Sequence, residues 1–287
     1  MAKIDGYGII VNASSDKFTV YRDGEYYALS ARGVLKIKSS GIKVGDKVEF
    51  DGANILSVLP RKNFLPRLNT ANIDCVNIVI SPMPRPDLLL VDKLIVESNI
   101  LGCRTIITVN KSDIDDGLAR YIFENYSRAV DGIVAVSAKN GEGIEDLRAM
   151  IKGKLTVFCG QSAVGKTSAL NALFDLSEKI NSVSEKTGRG RHTTTRRKII
   201  VDGDDFVVDT PGFSTLGVTS VDSAKLADYY TDFAAYNGKC YYIGCTHSSE
   251  PDCLVKNAVL RGEISRDRYE RYLLLLKEIR EYEKRKY

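Results

Sequence analysis

The spacing of hydrophobic positions changes character along the chain and marks out three regions. Over residues 4–58, apolar residues fall in short runs separated by turn signals. Phe18-Thr19-Val20-Tyr21 and Tyr26-Tyr27-Ala28-Leu29 flank Arg22-Asp23-Gly24-Glu25, and Asp-Gly tolerates the positive φ of a tight hairpin turn. Lys47-Val48-Glu49-Phe50 then turns at Asp51-Gly52 into Ile55-Leu56-Ser57-Val58. About five short strands in this space predict a small barrel, for which the OB-fold is the natural candidate. Residues 62–67 read as a linker.

From about residue 73 the pattern lengthens. Apolar runs at 76–80, 105–109, 133–136, 155–159 and 206–208 alternate with stretches of helical spacing, the first over 88–100. That alternation predicts a parallel sheet with helices on both faces. Residues 199–201 and 206–208, turning at Asp204-Asp205, form the one expected antiparallel pair. Beyond about residue 218 the chain reads as helical, interrupted by an irregular loop that holds three cysteines. Near the end Tyr269, Tyr272, Leu273, Leu276 and Ile279 lie at helical spacing, an amphipathic helix by default.

Composition narrows the class. At 287 residues, 44% hydrophobic and 27% charged, the chain is globular and neither disordered nor fibrous. No apolar run approaches the roughly 20 residues that span a bilayer. The first residues lack the basic-then-apolar pattern of a secretory signal, so the expectation is a cytoplasmic protein without a membrane partner. A net charge of +4 permits an anionic partner without demanding one. Six cysteines in a cytosolic setting argue against disulfides, and Cys75, Cys103 and Cys159 read as core residues.

The strongest chemical signal is Gly160-Gln161-Ser162-Ala163-Val164-Gly165-Lys166-Thr167, followed by Ser168, between an apolar strand and a helical pattern. It matches the phosphate loop G-x-x-x-x-G-K-[ST], whose curled backbone points N–H groups at phosphates. Lys166 is expected to reach the β- and γ-phosphates, and Thr167 to ligate Mg²⁺. Asn110-Lys111-Ser112-Asp113 follows the 105–109 strand. The carboxylate of Asp113 can accept both N–H groups on the Watson–Crick edge of guanine, which adenine does not offer, and so selects GTP. Lys111 can cover the base and Asn110 tie the loop down. Ser137-Ala138-Lys139 follows the next strand, where backbone N–H groups can meet the guanine carbonyl.

Past the phosphate loop, Thr187-Gly188-Arg189-Gly190-Arg191-His192-Thr193-Thr194-Thr195 suits a switch loop, with Thr194 the first choice for Mg²⁺ and Thr193 the second. Asp209-Thr210-Pro211-Gly212-Phe213 closes a strand. Asp209 suits water-mediated Mg²⁺ contact, and the Gly212 N–H suits the γ-phosphate. Phe213 stands where Ras-like enzymes carry a water-orienting glutamine, so intrinsic hydrolysis is expected to be slow unless His192 or a partner supplies that group. Cys240, Cys245, His247 and Cys253 form a Cys₃His set, expected to hold a structural Zn²⁺ closed by four protein ligands.

Ordinary GTPases place base-recognition loops after the phosphate loop; here residues 110–113 and 137–139 precede 160–167. With barrel-like strands, permuted loops, GRGRHTTT, DTPGF and the Cys₃His spacing in this order, the chain closely resembles the RsgA (YjeQ/YloQ) family of circularly permuted GTPases over essentially its whole length. The resemblance implies an α/β protein of three parts. Residues 1–67 would be an RNA-binding OB-fold, 68–217 the permuted GTPase domain with a mostly parallel sheet, and 218–287 a mainly helical zinc-binding domain. It further implies a monomer that binds GTP and GDP, the small ribosomal subunit and its rRNA, with hydrolysis stimulated by the subunit late in its maturation. Two alternatives stand beside it: an RNA-binding module without turnover, and a P-loop kinase.

Overall fold

The structure, a computed structural model, describes residues 6–14, 17–31, 41–174, 199–209 and 221–285. Its contacts divide into two compact units. One draws on residues 1–76, 144–158 and 166–211, the other on 77–143, 159–165 and 212–287.

In the first unit, alternation builds the expected barrel. Phe18 and Val20 of β2 (Phe18–Arg22) are buried while Thr19 and Tyr21 are half-buried. With β1 (Gly6–Ala13), β3 (Glu25–Ala31), β4 (Lys47–Phe50) and β5 (Asn54–Val58), it forms a closed barrel ordered β1-β2-β3-β5-β4. Antiparallel pairing of β1 with β4 completes the closure. Ile10, Phe18, Val20, Leu29, Phe50 and Ile55 are among the side chains filling the interior. The β2–β3 hairpin turns at Asp23 and Gly24, whose φ angles of 47° and 88° suit a two-residue loop.

Residues 62–67, read as a linker, carry secondary structure of their own. β6 (Phe64–Leu65) pairs antiparallel with β7 (Thr70–Ala71) around a 3₁₀ turn at Pro66–Leu68. Asn72 accepts from the Lys62 N–H at 3.0 Å and donates from Nδ2 to the Gly45 carbonyl at 2.9 Å. Just before this segment, Arg61 grips the buried Asp46 through two bonds of 2.6 and 2.8 Å. A two-residue strand is too short to show periodicity, which is why the residue pattern gives no sign of it.

The central sheet has the order β10-β9-β8-β11-β13-β12. Its strands are β8 (Cys75–Ile80), β9 (Arg104–Asn110), β10 (Gly132–Val136), β11 (Leu155–Cys159), β12 (Ile199–Asp202) and β13 (Asp205–Asp209). β9 pairs in parallel with β10, and β11 with β13; β12 runs antiparallel to β13. Every residue of β8 and β11 is buried, the reason both read as apolar runs interrupted only by Asn77 and Thr156. Helices α1 (Leu88–Ile100), α2 (Gly117–Tyr126), α3 (Ile144–Ile151) and α4 (Lys166–Phe174) follow β8, β9, β10 and β11 in turn. Cys75, Cys103 and Cys159 are buried, and all six cysteines are free. No helix among the described residues is long and apolar enough to cross a membrane.

In the second unit, two 3₁₀ helices (Ser223–Tyr229 and Thr231–Phe233) precede α5 (Leu254–Leu260) and α6 (Arg266–Arg285). Val96 of α1 joins their core, with Tyr230, Phe233, Val255, Tyr272 and Ile279. Charge is buried here too. Arg268, 1% exposed, donates to Asp92 of α1 at 2.6 Å and to Asp232 at 2.9 Å. Its guanidinium lies over the rings of Tyr126 and Tyr230, 4.8 and 5.2 Å from their centroids. Arg271 takes the second Asp92 oxygen and donates to the Tyr126 hydroxyl.

Removing the shared carboxylate takes from Arg271 its ion-pair partner and leaves the buried Arg268 with Asp232 alone. Asp92→Ala is therefore expected to cost roughly 3–5 kcal/mol of local stability. Hydrogen exchange of the α6 amides reads it, and unchanged protection would show that the ion cluster does not hold α6 in place.

Candidate nucleotide site and metal centre

The phosphate-loop segment leaves β11 at Cys159 and enters α4 at Lys166. Two of its glycines are required by close approach. A Cβ on Gly160, at φ 131°, would lie 2.1 Å from the Val79 carbonyl oxygen. On Gly165, at φ 88°, it would lie 2.3 Å from Asn110 Nδ2. Val164 is buried, Ser162 and Ala163 are exposed, and Ala163 also takes a positive φ of 64°. Gln161 accepts from the Asp87 N–H at 2.8 Å, and Asp87 caps α1 by accepting from the Leu90 N–H at 3.0 Å. Lys166 is buried at the start of α4, with Thr167 and Ser168 exposed beside it.

Three loops meet at one buried carboxamide. Asn110, the last residue of β9, donates from Nδ2 to the carbonyls of Val164 (3.0 Å) and Gly165 (3.3 Å). Its Oδ1 accepts from the Ala138 N–H at 3.2 Å. Lys111, at φ 62°, sends its ammonium to the carbonyls of Ala163 at 2.8 Å and Met83 at 2.6 Å. Its stem thus runs alongside the phosphate loop. Asp113 is exposed, and one of its oxygens accepts from Ser137 Oγ at 2.7 Å. The turn after β10 is closed by Asn140 and Gly141 N–H groups on the Ser137 carbonyl. The Lys139 N–H has no partner among the described residues.

Asp209 ends β13, paired in register with Phe158 of β11. His192, Thr193, Thr194, Gly212 and Phe213 lie outside the described residues. Sequence reasoning missed the 81–87 loop as a wall of this site, although Asp87 after Pro86 and before an apolar helical run is an N-cap signal.

The four cysteine and histidine positions converge. Their donor atoms all lie within 4.8 Å of one another and could hold a metal ion. His247 Nδ1 is 3.6, 3.4 and 3.2 Å from the sulfurs of Cys240, Cys245 and Cys253, and the Cys240 and Cys253 sulfurs are 3.9 Å apart. A tetrahedral ion with metal–sulfur bonds of about 2.3 Å and metal–nitrogen bonds of about 2.0–2.1 Å has sulfur–sulfur edges near ~3.8 Å and sulfur–nitrogen edges near ~3.6 Å. The donor set fits such an ion. Burial lowers the His247 pKa and keeps the imidazole neutral, the form that ligates.

One residue outside the motif completes the centre. Asn237 Oδ1 lies 2.9 Å from His247 Nε2, so that nitrogen carries the proton and Nδ1 faces the sulfurs. Asn237 is itself held by Asp228, through an Nδ2 bond of 2.7 Å. Backbone N–H groups of His247 and Leu254 point at the Cys245 and Cys240 sulfurs, both at 3.4 Å. Below the loop, Tyr269 and Tyr272 of α6 donate to the carbonyls of His247 (2.7 Å) and Thr246 (2.6 Å).

The RsgA GTPase family matches residues 58–219. The chain is 37% identical to the small ribosomal subunit biogenesis GTPase RsgA of Thermotoga petrophila, and equally to that of Thermotoga maritima. Both matches run over 286 residues, covering 95% of this chain and 96% of each relative. Among solved structures, YjeQ from Thermotoga maritima is similar with a TM-score of 0.82 at 35% identity, over 95% of this chain and 98% of that one. YloQ, a circularly permuted GTPase, gives 0.81 at 25% identity, over 96% and 95%.

The Asn237 contact makes a quantitative expectation. Asn237→Ala frees the imidazole to rotate and change tautomer, and metal affinity should fall 10- to 100-fold, on the order of other such supporting contacts. Competition with a chromophoric chelator measures it; an unchanged affinity would mean that the loop alone orients His247.

Proposed function

This chain belongs to the RsgA GTPase family, and on that premise we propose that it binds GTP, hydrolyses it to GDP and phosphate on the small ribosomal subunit late in that subunit's assembly, and then dissociates. The observation that carries the nucleotide part is the three-loop junction at Asn110. Phosphate and base loops joined through one buried side chain are held at a set spacing, as a single ligand touching both requires. Neither a P-loop kinase nor an RNA-binding module without turnover is supported by the relatives.

In this reading the N–H groups of the phosphate loop and the N-terminus of α4 receive the phosphates, with Lys166 on the β- and γ-oxygens. Asp113 accepts from N1–H and the exocyclic amine of guanine, and Ser137 Oγ holds the carboxylate in the orientation that does so. The Lys139 N–H supplies the donor for the guanine carbonyl, since that of Ala138 is engaged by Asn110. Hydroxyls of Thr167 and Thr194, with Asp209 through water, hold Mg²⁺, which neutralises charge on the phosphate oxygens. Gly212 senses the γ-phosphate. With Phe213 at the usual glutamine position, water is oriented by His192 or by the subunit.

The metal is zinc in this proposal. Three thiolates and one imidazole at tetrahedral spacing favour it over hard, oxygen-seeking cations, and four protein ligands leave no open position, so its role is structural. The barrel of residues 1–67 is the rRNA-binding part; it holds 11 Lys/Arg against 7 Asp/Glu and exposes Tyr7 and Tyr26 for stacking. The protein acts as a cytoplasmic monomer.

Two measurements test these roles. Asp113→Asn replaces a charge-assisted acceptor worth about 1.5–3 kcal/mol, so GTP affinity should fall about 10- to 150-fold. Xanthosine triphosphate, which carries a carbonyl where guanine has its amine, should gain; an unaltered preference for GTP over ATP would remove Asp113 from the site. In single-turnover hydrolysis with purified small subunits, His192→Ala should lower the stimulated rate by roughly 10²-fold or more. Equal rates for both proteins, with and without subunits, would dismiss the histidine, and no stimulation of the unaltered protein would dismiss the ribosomal reading.

A further inference from the structure

The loop between β8 and α1 carries a cation without a structural partner. Ser81-Pro82-Met83-Pro84-Arg85-Pro86-Asp87 walls the nucleotide site. Arg85 is exposed there and makes no hydrogen bond, ion pair or ring contact among the described residues. Asp87, the carboxylate closest to it along the chain, is turned to the Leu90 N–H instead. A guanidinium does not lose its proton in a protein, so this charge stands uncompensated.

The backbone beneath this side chain is fixed at several points. Lys111 Nζ donates to the Met83 carbonyl at 2.6 Å and to the Ala163 carbonyl at 2.8 Å, so the two residues face each other across one ammonium. Further along the loop, the Asp87 N–H donates to Gln161 Oε1 at 2.8 Å. The loop therefore runs antiparallel to the phosphate loop, with Met83 beside Ala163 and Asp87 beside Gln161. Arg85, midway between its two anchors, comes level with Ser162. Ser81 Oγ also holds the Met83 carbonyl, at 2.8 Å. Pro84 and Pro86 fix two φ angles, and Pro86 confines the preceding Arg85 to extended conformations. Little backbone freedom is left to lose when the side chain engages a ligand. Ser162 is exposed in the middle of the segment whose N–H groups receive phosphates, so a cation level with it has the phosphate chain as its counter-charge.

We propose that Arg85 is a catalytic residue of the GTPase, an arginine supplied within the chain that neutralises charge on the transferring phosphoryl group; the proposal rests on the GTPase reading above. In hydrolysis the oxygen of water bonds to the γ-phosphorus, and the bond from that phosphorus to the β–γ bridging oxygen breaks. Its electron pair stays on GDP, and the proton of the water ends on the released phosphate. Arg85 exchanges no proton. It donates hydrogen bonds to the oxygens on which charge gathers as that bond breaks, and so binds the transition state more tightly than GTP itself. Orienting the water is a separate task, left to His192 or the subunit as above.

The full-length, metal-loaded protein is assayed in single turnover at saturating GTP and saturating small subunits, which separates the chemical step from binding of either. Arg85→Ala should slow hydrolysis about 10²- to 10³-fold, as loss of one well-placed donor does, with GTP affinity unchanged. Lys225→Ala removes an equal charge from an exposed position elsewhere in the unit and should hydrolyse at the unaltered rate. GDP with aluminium fluoride, a mimic of the transferring phosphoryl group, should bind Arg85→Ala more weakly than the unaltered protein, whereas GDP alone should bind both equally. Equal rates for Arg85→Ala and the unaltered protein, a deficit that vanishes at saturation, or equal affinity for the aluminium fluoride complex would each overturn the inference. If the unaltered protein hydrolyses GTP and Arg85→Ala matches it, the arginine falls and the GTPase stands. An unaltered protein that neither hydrolyses GTP nor prefers it to ATP removes both.

Discussion

The carboxamide of Asn110 is the constraint on which the nucleotide site depends. It is 2% exposed, and its two polar atoms serve loops from three successive strands of the sheet. A buried amide with its partners satisfied is stable, while one robbed of them carries the full desolvation cost, so the loops either keep this spacing or are destabilised together. Gly165 follows from the same contact: the asparagine comes so close to the phosphate loop that no Cβ fits. Segments 110–113, 137–139 and 160–165 are thereby tied into one local arrangement, indifferent to which comes first along the chain.

That indifference explains why a permuted order is tolerated. Loops at the carboxyl ends of parallel strands share one edge of a sheet, and ligands bind there whatever the connectivity between strands. What permutation alters is which elements follow the site in sequence. Here the chain runs on from the DTPGF segment into a region whose core includes Val96 of α1, the helix capped by Asp87 beside Gln161. Helix α1 thus has one end at the phosphate loop and its flank against α6, joined there by the Asp92 ion cluster.

The metal centre follows the same logic. Its loop is too irregular to bury an apolar core, and convergent donors substitute for one. Aromatic hydroxyls and Arg280 of α6 then dock that loop through its backbone and Thr246.

Much of this was legible in the residue order. Alternation at Phe18 and Val20, the Asp23-Gly24 turn, the apolar runs of β8 and β11 and the strand–GxxxxGK[ST]–helix context depend on neighbours a few positions away, so side-chain period and backbone freedom were enough to read them. So were the types and spacing of the four metal donors. Tertiary structure alone decided the contacts between distant positions: Asn110 with Val164, 54 residues on, Arg268 with Asp92, 176 residues back, and Arg280 with Thr246. It also decided that residues 62–67 are pinned, since Asn72 and Gly45 must first be brought together. A side chain's local pattern tells which face it belongs to; which buried polar group will satisfy it depends on a fold that no short window of sequence contains.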